Sequence, residues 1–345
     1  MEKPGPFCLR KVVPMCCSRR DWLKGMGAGV LWGCTRLSHP SNVWTFFADG
    51  ASPLGKPKRR FRSALHCSAL GIPADQHQVI RYAQQFGFEA VEPLPDYLRR
   101  LSEDQLAQLR QQLQQAGLCW SAANLPVRFR ESEEQFTADM KALPEYVRAL
   151  ERAGVQRMGT YLRPCHPDRT YLENFRLHVR RLRAVADILG QHGLRLGLEY
   201  VGPKTSWTAA RFPFIHTMRE MRELIAEINH PALGLLLDSW HWYTAGETVE
   251  DILRLRGEEV VLVHLNDAPA GVPVAEQVDS VRQLPLATGV IDLKGFLGAL
   301  VQIGFDGPAL IEPFYRPLRE KPPEKALQLV SEAMRKCLAL AEGSG

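Results

Sequence analysis

Leu233-Gly234-Leu235-Leu236-Leu237-Asp238-Ser239-Trp240-His241 reads as a buried strand that delivers an acid, and three residues later an imidazole, just past its apolar run. An unbroken run of apolar residues and Gly leaves no solvated face, which suits a strand covered on both sides. An Asp at the end of such a run must be paired, protonated or metal-bound. The pattern recurs three times. Leu194 to Tyr200 carries Glu199, Val260 to Leu265 carries His264, and Ala309 to Glu312 ends on Glu312. In a (β/α)8 barrel the C-terminal strand ends converge on one mouth, so residues far apart in sequence can meet around one ion. Three carboxylates and one imidazole suit a single divalent cation such as Mn2+, Mg2+, Co2+ or Zn2+.

Upstream, four further runs read as strands: Ser63 to Cys67, Ala90 to Glu92, Leu118 to Ala122 and Arg157 to Leu162. Amphipathic stretches fill the gaps, at Asp75 to Phe86, Ser102 to Ala116, Glu134 to Ala153, Tyr171 to His192, Phe214 to Ile228, Val249 to Leu255, Leu293 to Ile303 and Pro323 to Leu340. Strict alternation of this kind is the signature of a parallel sheet with crossover helices. Ser102-Glu103-Asp104-Gln105 has the form of a capping box. Gly87, Gly117, Gly154, Gly193 and Gly304 fall where a left-handed helix end needs no β-carbon. The fold expected is α/β, a (β/α)8 TIM barrel occupying residues 61–342 as one domain.

The formal net charge of +5 belongs to the N-terminal region. The first 62 residues hold twelve Lys/Arg against three acids, a net +9, so the remainder is net −4 and lacks the basic footprint of a nucleic-acid binder. Ser18-Arg19-Arg20-Asp21-Trp22-Leu23-Lys24 resembles a twin-arginine motif, and an apolar, Gly-rich stretch follows from Gly25 to Gly33. That resemblance implies residues 1–60 are a signal region and irregular linker, the export machinery a partner, and the destination periplasmic. Met15 is an alternative start. Leu31-Trp32-Gly33-Cys34 resembles a lipoprotein cleavage box, which would put a lipid anchor on Cys34. The eight cysteines contain no C-x-x-C pair, so buried thiols are expected rather than a disulfide scaffold.

The order Glu199, Asp238-x-x-His241, His264-x-x-Asp267 and Glu312 on the last four strands resembles the sugar isomerase/epimerase branch of the xylose isomerase-like barrels. The resemblance covers roughly Arg62 to Ala341. It implies that Glu199, Asp238, His264 and Glu312 ligate the metal and that His241 contacts substrate oxygens. Arg282 precedes Gln283-Leu284-Pro285-Leu286-Ala287-Thr288-Gly289, similar to the family's substrate-facing Arg loop, which more often reads Pro-Gly-x-Gly. Trp240 and Lys204 stand in segments expected at the mouth, where an aromatic face and a cation suit a sugar, polyol or acidic sugar.

The chemistry implied is proton transfer next to a carbonyl through an enediolate, with Glu199 and Glu312 as acid and base. Return of the proton to the opposite face epimerises, return to the neighbouring carbon isomerises, and loss of a β-hydroxyl dehydrates. A dehydratase of the same barrel family and a non-catalytic exported sugar-binding barrel stay open as alternatives, as does a homo-oligomer. An endonuclease IV-like activity is disfavoured, because its extra metal ligands include an Asp-x-His pair and residues 265–311 contain no His.

Overall fold

The computed structural model describes residues 58–343. Its strands are β1 (Arg62–Leu65), β2 (Ala90–Val91), β3 (Cys119–Trp120), β4 (Ala122–Asn124), β5 (Arg157–Tyr161), β6 (Cys165–His166), β7 (Arg195–Glu199), β8 (Phe212–Pro213), β9 (Leu233–Asp238), β10 (Val260–Leu265) and β11 (Pro308–Ile311). Nine of them pair in parallel in the order β3-β2-β1-β11-β10-β9-β7-β5-β4. The two strands at the ends of that order are separated in sequence by Ser121 alone, so the order returns to itself as a nearly closed barrel. β6 and β8 form a separate antiparallel ribbon.

The eight expected helices are present as Gln76–Phe86, Glu103–Gln115, Glu133–Ala153, Tyr171–Gln191, Met218–Ile228, Val249–Leu253, Leu293–Gln302 and Pro323–Gly343. Ser102 Oγ accepts from the Gln105 amide at 3.3 Å, and the Gln105 side chain accepts from the Ser102 amide at 2.9 Å. The five glycines expected at helix ends all take φ between +67° and +83°. The run expected as one strand, Leu118 to Ala122, breaks at Ser121 into β3 and β4, and two other boundaries shift. The helix expected from Phe214 begins at Met218, because Thr217 caps it and Phe212–Pro213 pairs with β6. The first strand stops at Leu65, and a short helix Cys67–Leu70 starts immediately after His66.

Side chains alternate across each strand, so one set fills the barrel and the other meets the helices. The barrel floor is a small cluster of Ala64, Ala90, Ala122, Leu236, Leu262 and Leu310, distinct from the larger core under the helices. Gly159 and Gly197 sit against it: a β-carbon on Gly159 would lie 3.0 Å from Leu262 Cδ2, and one on Gly197 would lie 3.2 Å from the Leu236 backbone nitrogen. Small residues on one side thus make room for leucines from the other. The twin-arginine-like stretch 18–24 and Cys34 lie outside the described residues. Cys67, Cys119, Cys165 and Cys337 are free thiols.

Candidate metal centre

Two residues beyond each floor position the same strand face emerges at the mouth. Gly197, Leu236, Leu262 and Leu310 are followed in phase by Glu199, Asp238, His264 and Glu312. One oxygen or ring nitrogen from each of these four lies within 4.8 Å of the others, the one such group of metal-ligand type among the described residues. His264 Nδ1 is 3.2 Å from Glu199 Oε1, 3.4 Å from Glu312 Oε2 and 3.8 Å from Asp238 Oδ2.

The electrostatics follow from crowding acids around one imidazole. Burial alone would depress His264, but the charges of Glu312 and Glu199 carry it well above its ordinary value. Burial also opposes ionisation of Glu312, yet His264 and Arg282 hold it down at about 2. Glu199 moves the other way: burial, with Glu312 and Asp238 adding to it, raises Glu199 to about 7 against the pull of His264. Glu199 Oε1 and His264 Nδ1 are nevertheless buried without an aligned hydrogen-bond partner. Buried polar atoms left this way are costly. A divalent cation would satisfy both, and the donor set of three carboxylates and an imidazole fits one.

A supporting layer fixes the acids. Asp238 accepts from the Trp240 amide at 2.7 Å, from Asn266 Nδ2 at 3.0 and 3.2 Å, and from Arg282 Nη1 at 2.8 Å. Arg282 also reaches Glu312 Oε2 at 3.4 Å, Asp279 Oδ1 at 2.9 Å and His241 Nε2 at 3.3 Å. Its guanidinium sits 4.5 Å from the Phe314 ring centroid and 5.6 Å from that of Trp240. The Asp267 carboxylate clips the Arg282 loop in place, accepting from the amides of Ala268 at 2.8 Å, Thr288 at 3.0 Å, Gly289 at 2.8 Å and Ile291 at 3.1 Å. Leu286 at φ +62° and Phe314 at φ +39° are both left-handed, so backbone strain collects in the mouth loops. Gly202 lets the segment after β7 approach His241, because a β-carbon there would meet the His241 carbonyl at 2.4 Å.

A cavity of about 280 Å3 opens over the group. Glu199, His264 and Glu312 line one side, and His66, Ser68, Asn124, Tyr161 and Arg319 are among its other walls. The remaining residues singled out in the sequence stand elsewhere. His241, Arg282 and Trp240 are buried behind the acids. Lys204 begins an exposed short helix, Lys204–Trp207, and does not line this cavity. Glu92 turns away from the mouth to cap the short helix, accepting from the Ser68 amide at 3.0 Å. Sequence reasoning passed over His66, Asn266 and Asp279; only the His-x-Asn spacing hinted at Asn266. A larger cavity of about 1100 Å3 lies on the outer face beside helix Met218–Ile228 and contains no metal-ligand group.

Residues 80–342 match the family model described as xylose isomerase-like TIM barrel, and the chain belongs to that family. It is 28% identical over 148 residues to an inosose isomerase of Bacillus subtilis (strain 168), covering 43% of this chain and 50% of that protein. A 3-dehydroshikimate dehydratase of Pseudomonas putida is 29% identical over 167 residues, 48% of this chain and 24% of that protein. This chain therefore spans half or less of those two relatives. Among solved structures, a xylose isomerase domain protein from Alicyclobacillus acidocaldarius superposes with a TM-score of 0.70 at 31% identity, over 82% of this chain and all of that one. The IolI protein solved with a bound zinc atom gives 0.68 at 22% identity, over 81% and 98% of the two chains.

Proposed function

We propose that this protein is a metal-dependent isomerase or epimerase of a small sugar or polyol-derived ketone, acting by proton transfer beside the carbonyl through an enediolate. The observation that carries the reading is geometric: Glu199 and Glu312 share one cavity wall with His264, and donor atoms of these three and Asp238 lie within 4.8 Å of one another. A divalent cation held by Glu199, Asp238, His264 and Glu312 would supply charge stabilisation for the oxygen of the developing enediolate.

With the substrate carbon between them, Glu199 and Glu312 could take a proton from one face and return one from the other. Arg282 holds Glu312 and Asp238 from behind, and His241 contacts Arg282 in turn. The cavity admits a single small ring and excludes an oligosaccharide on volume. The reading includes export to the periplasm by the twin-arginine route, supported by the Ser18–Lys24 motif. A dehydratase is the second reading, favoured by the Pseudomonas relative; its product would be lighter than the substrate by one water.

The test is solvent deuterium incorporation into a panel of ketoses, inososes and 3-dehydroshikimate by the metal-loaded full chain. Metal-dependent exchange at one carbon is expected, lowered at least roughly 100-fold in Glu312→Gln, the size of a general acid–base contribution. Exchange that survives the substitution would remove Glu312 from proton transfer.

A further inference from the structure

On the cavity wall beside Glu312, at the end of the strand paired with β11, one buried polar group has a role that neither ion binding nor proton transfer assigns. His66 follows β1 in phase with the floor residue Ala64, which turns its ring toward the barrel mouth. It is 9% exposed and lines the cavity with Glu199, His264 and Glu312. Its Nε2 is 2.8 Å from Ser121 Oγ, and its Nδ1 carries no hydrogen bond.

Ser121 is the residue at which the strand β3–β4 slips by one. Cys119 and Ala122 both border the barrel floor although they are three apart rather than two, while Trp120 and Ala123 face the outer core. The slip is the work of one extra residue, as in a β-bulge, a device that re-aims a side chain. Here it brings the Ser121 hydroxyl to the His66 ring at the point where the barrel closes. The imidazole is tied at one nitrogen and open at the other.

A neutral imidazole has one donor and one acceptor nitrogen. With Nε2 engaged by Ser121, Nδ1 can give or take one hydrogen bond with an oxygen in the cavity.

Building on the enediolate reading of this site, we propose that His66 is a specificity-determining residue, held by Ser121 so that its Nδ1 hydrogen-bonds a hydroxyl or carbonyl oxygen of a small polyhydroxylated ketone at the β1 edge of the cavity. It is not a metal ligand and takes no proton from carbon.

Two substitutions separate this role from a structural one. The amide of His66→Asn reproduces the place of Nδ1 and gives up the link to Ser121; that of His66→Gln reproduces the place of Nε2 and gives up the cavity-facing group. Binding of an inosose, D-fructose and 3-dehydroshikimate to the zinc-loaded full chain is measured by calorimetry, with deuterium exchange and zinc affinity in parallel. His66→Gln is expected to weaken binding of the preferred probe roughly ten-fold, the size of one hydrogen bond, and to raise KM with little change in kcat. His66→Asn should recover most of that loss, and zinc affinity should stay level in both.

Recovery by Gln instead of Asn, or equal affinity in both variants and wild type, overturns the proposal in favour of a structural His66–Ser121 pair. Binding without exchange in the wild type overturns the isomerase reading alone, and the affinities still decide His66. Failure of the wild type to bind any of the three probes overturns both.

Discussion

The two sides of the barrel mouth are built on opposite plans. β9, β10 and β11 raise leucines into the floor and place Asp238, His264 and Glu312 above them, and β7 adds Glu199. β1, β4 and β5 contribute Ala64, Ala122 and Gly159 to the floor, and His66, Asn124 and Tyr161 above it. The first side is charged, and two of its acids are anchored: Asp238 by Asn266, Arg282 and the Trp240 amide, and Glu312 by Arg282. On the second, His66, Asn124 and Tyr161 face the cavity, and the one side-chain hydrogen bond among them is His66 to Ser121. On the proposed reading, chemistry that depends on atoms placed to a fraction of an ångström falls to the better-anchored side, and recognition to side chains that can change without disturbing it.

The anchoring is the most breakable part of that contrast. Asn266 donates to both oxygens of Asp238 and is itself completely buried. Asn266→Ala should lower zinc affinity about 10- to 100-fold, the usual effect of removing a group that orients a ligand. Competition with a chromogenic chelator measures it. An unchanged affinity would show that Arg282 and the Trp240 amide hold Asp238 unaided, and that the charged side is no better anchored than the neutral one.

The charged side was also the legible one. An acid or imidazole ending an apolar run stands out against a simple burial argument, and in three of the four runs that residue lies within the observed strand. β11 itself stops at Ile311, one residue short of Glu312, which changes nothing about the face it presents. His66 gave no such signal, because a lone His between Leu65 and Cys67 resembles any satisfied core histidine. Its meaning depends on the one-residue slip at Ser121, a matter of strand phase that composition does not record. The Arg282 loop was readable as a loop, but not as a clip, since the four amides that bind Asp267 are spread over residues 268–291 and only the folded path brings them to one carboxylate.

The floor offers a second, smaller way to probe the contrast. If small residues on one side exist to admit leucines from the other, then adding a methyl group should strain the pair and trimming the leucine should relieve it. Gly159→Ala would bring a β-carbon to 3.0 Å from Leu262 Cδ2 and 3.2 Å from Leu236 Cδ1. Overpacking of this kind should destabilise by about 2 kcal/mol. Leu262→Val alone should cost about 1 kcal/mol, and the double variant less than the sum of the two. Urea unfolding of the four proteins closes the cycle; strict additivity would mean that the two sides of the floor are packed independently.

The smallest expected effect lies behind the charged side. Tyr200 follows Glu199 and therefore faces out of the barrel, where its hydroxyl donates to Glu247, which also accepts from the Met218 amide at 2.5 Å. Burial raises Glu247 from its ordinary 4.5 to about 7. Its folded value lies above its unfolded one, so the folded state holds a proton that the unfolded state releases between those limits. The stability contributed by Glu247 is thus fully present below about pH 4.5 and is lost as pH rises through about 7. Glu247 borders the outer cavity, so the loss should be on the order of 1 kcal/mol, less than the full shift would give. Glu247→Gln carries no titrating proton. Its stability relative to wild type should climb by that amount between about pH 5 and about pH 8 in urea unfolding. A gap that does not change with pH would mean that Glu247 is ionised throughout, and that the one buried acid of raised pKa on this side of the barrel is Glu199 itself.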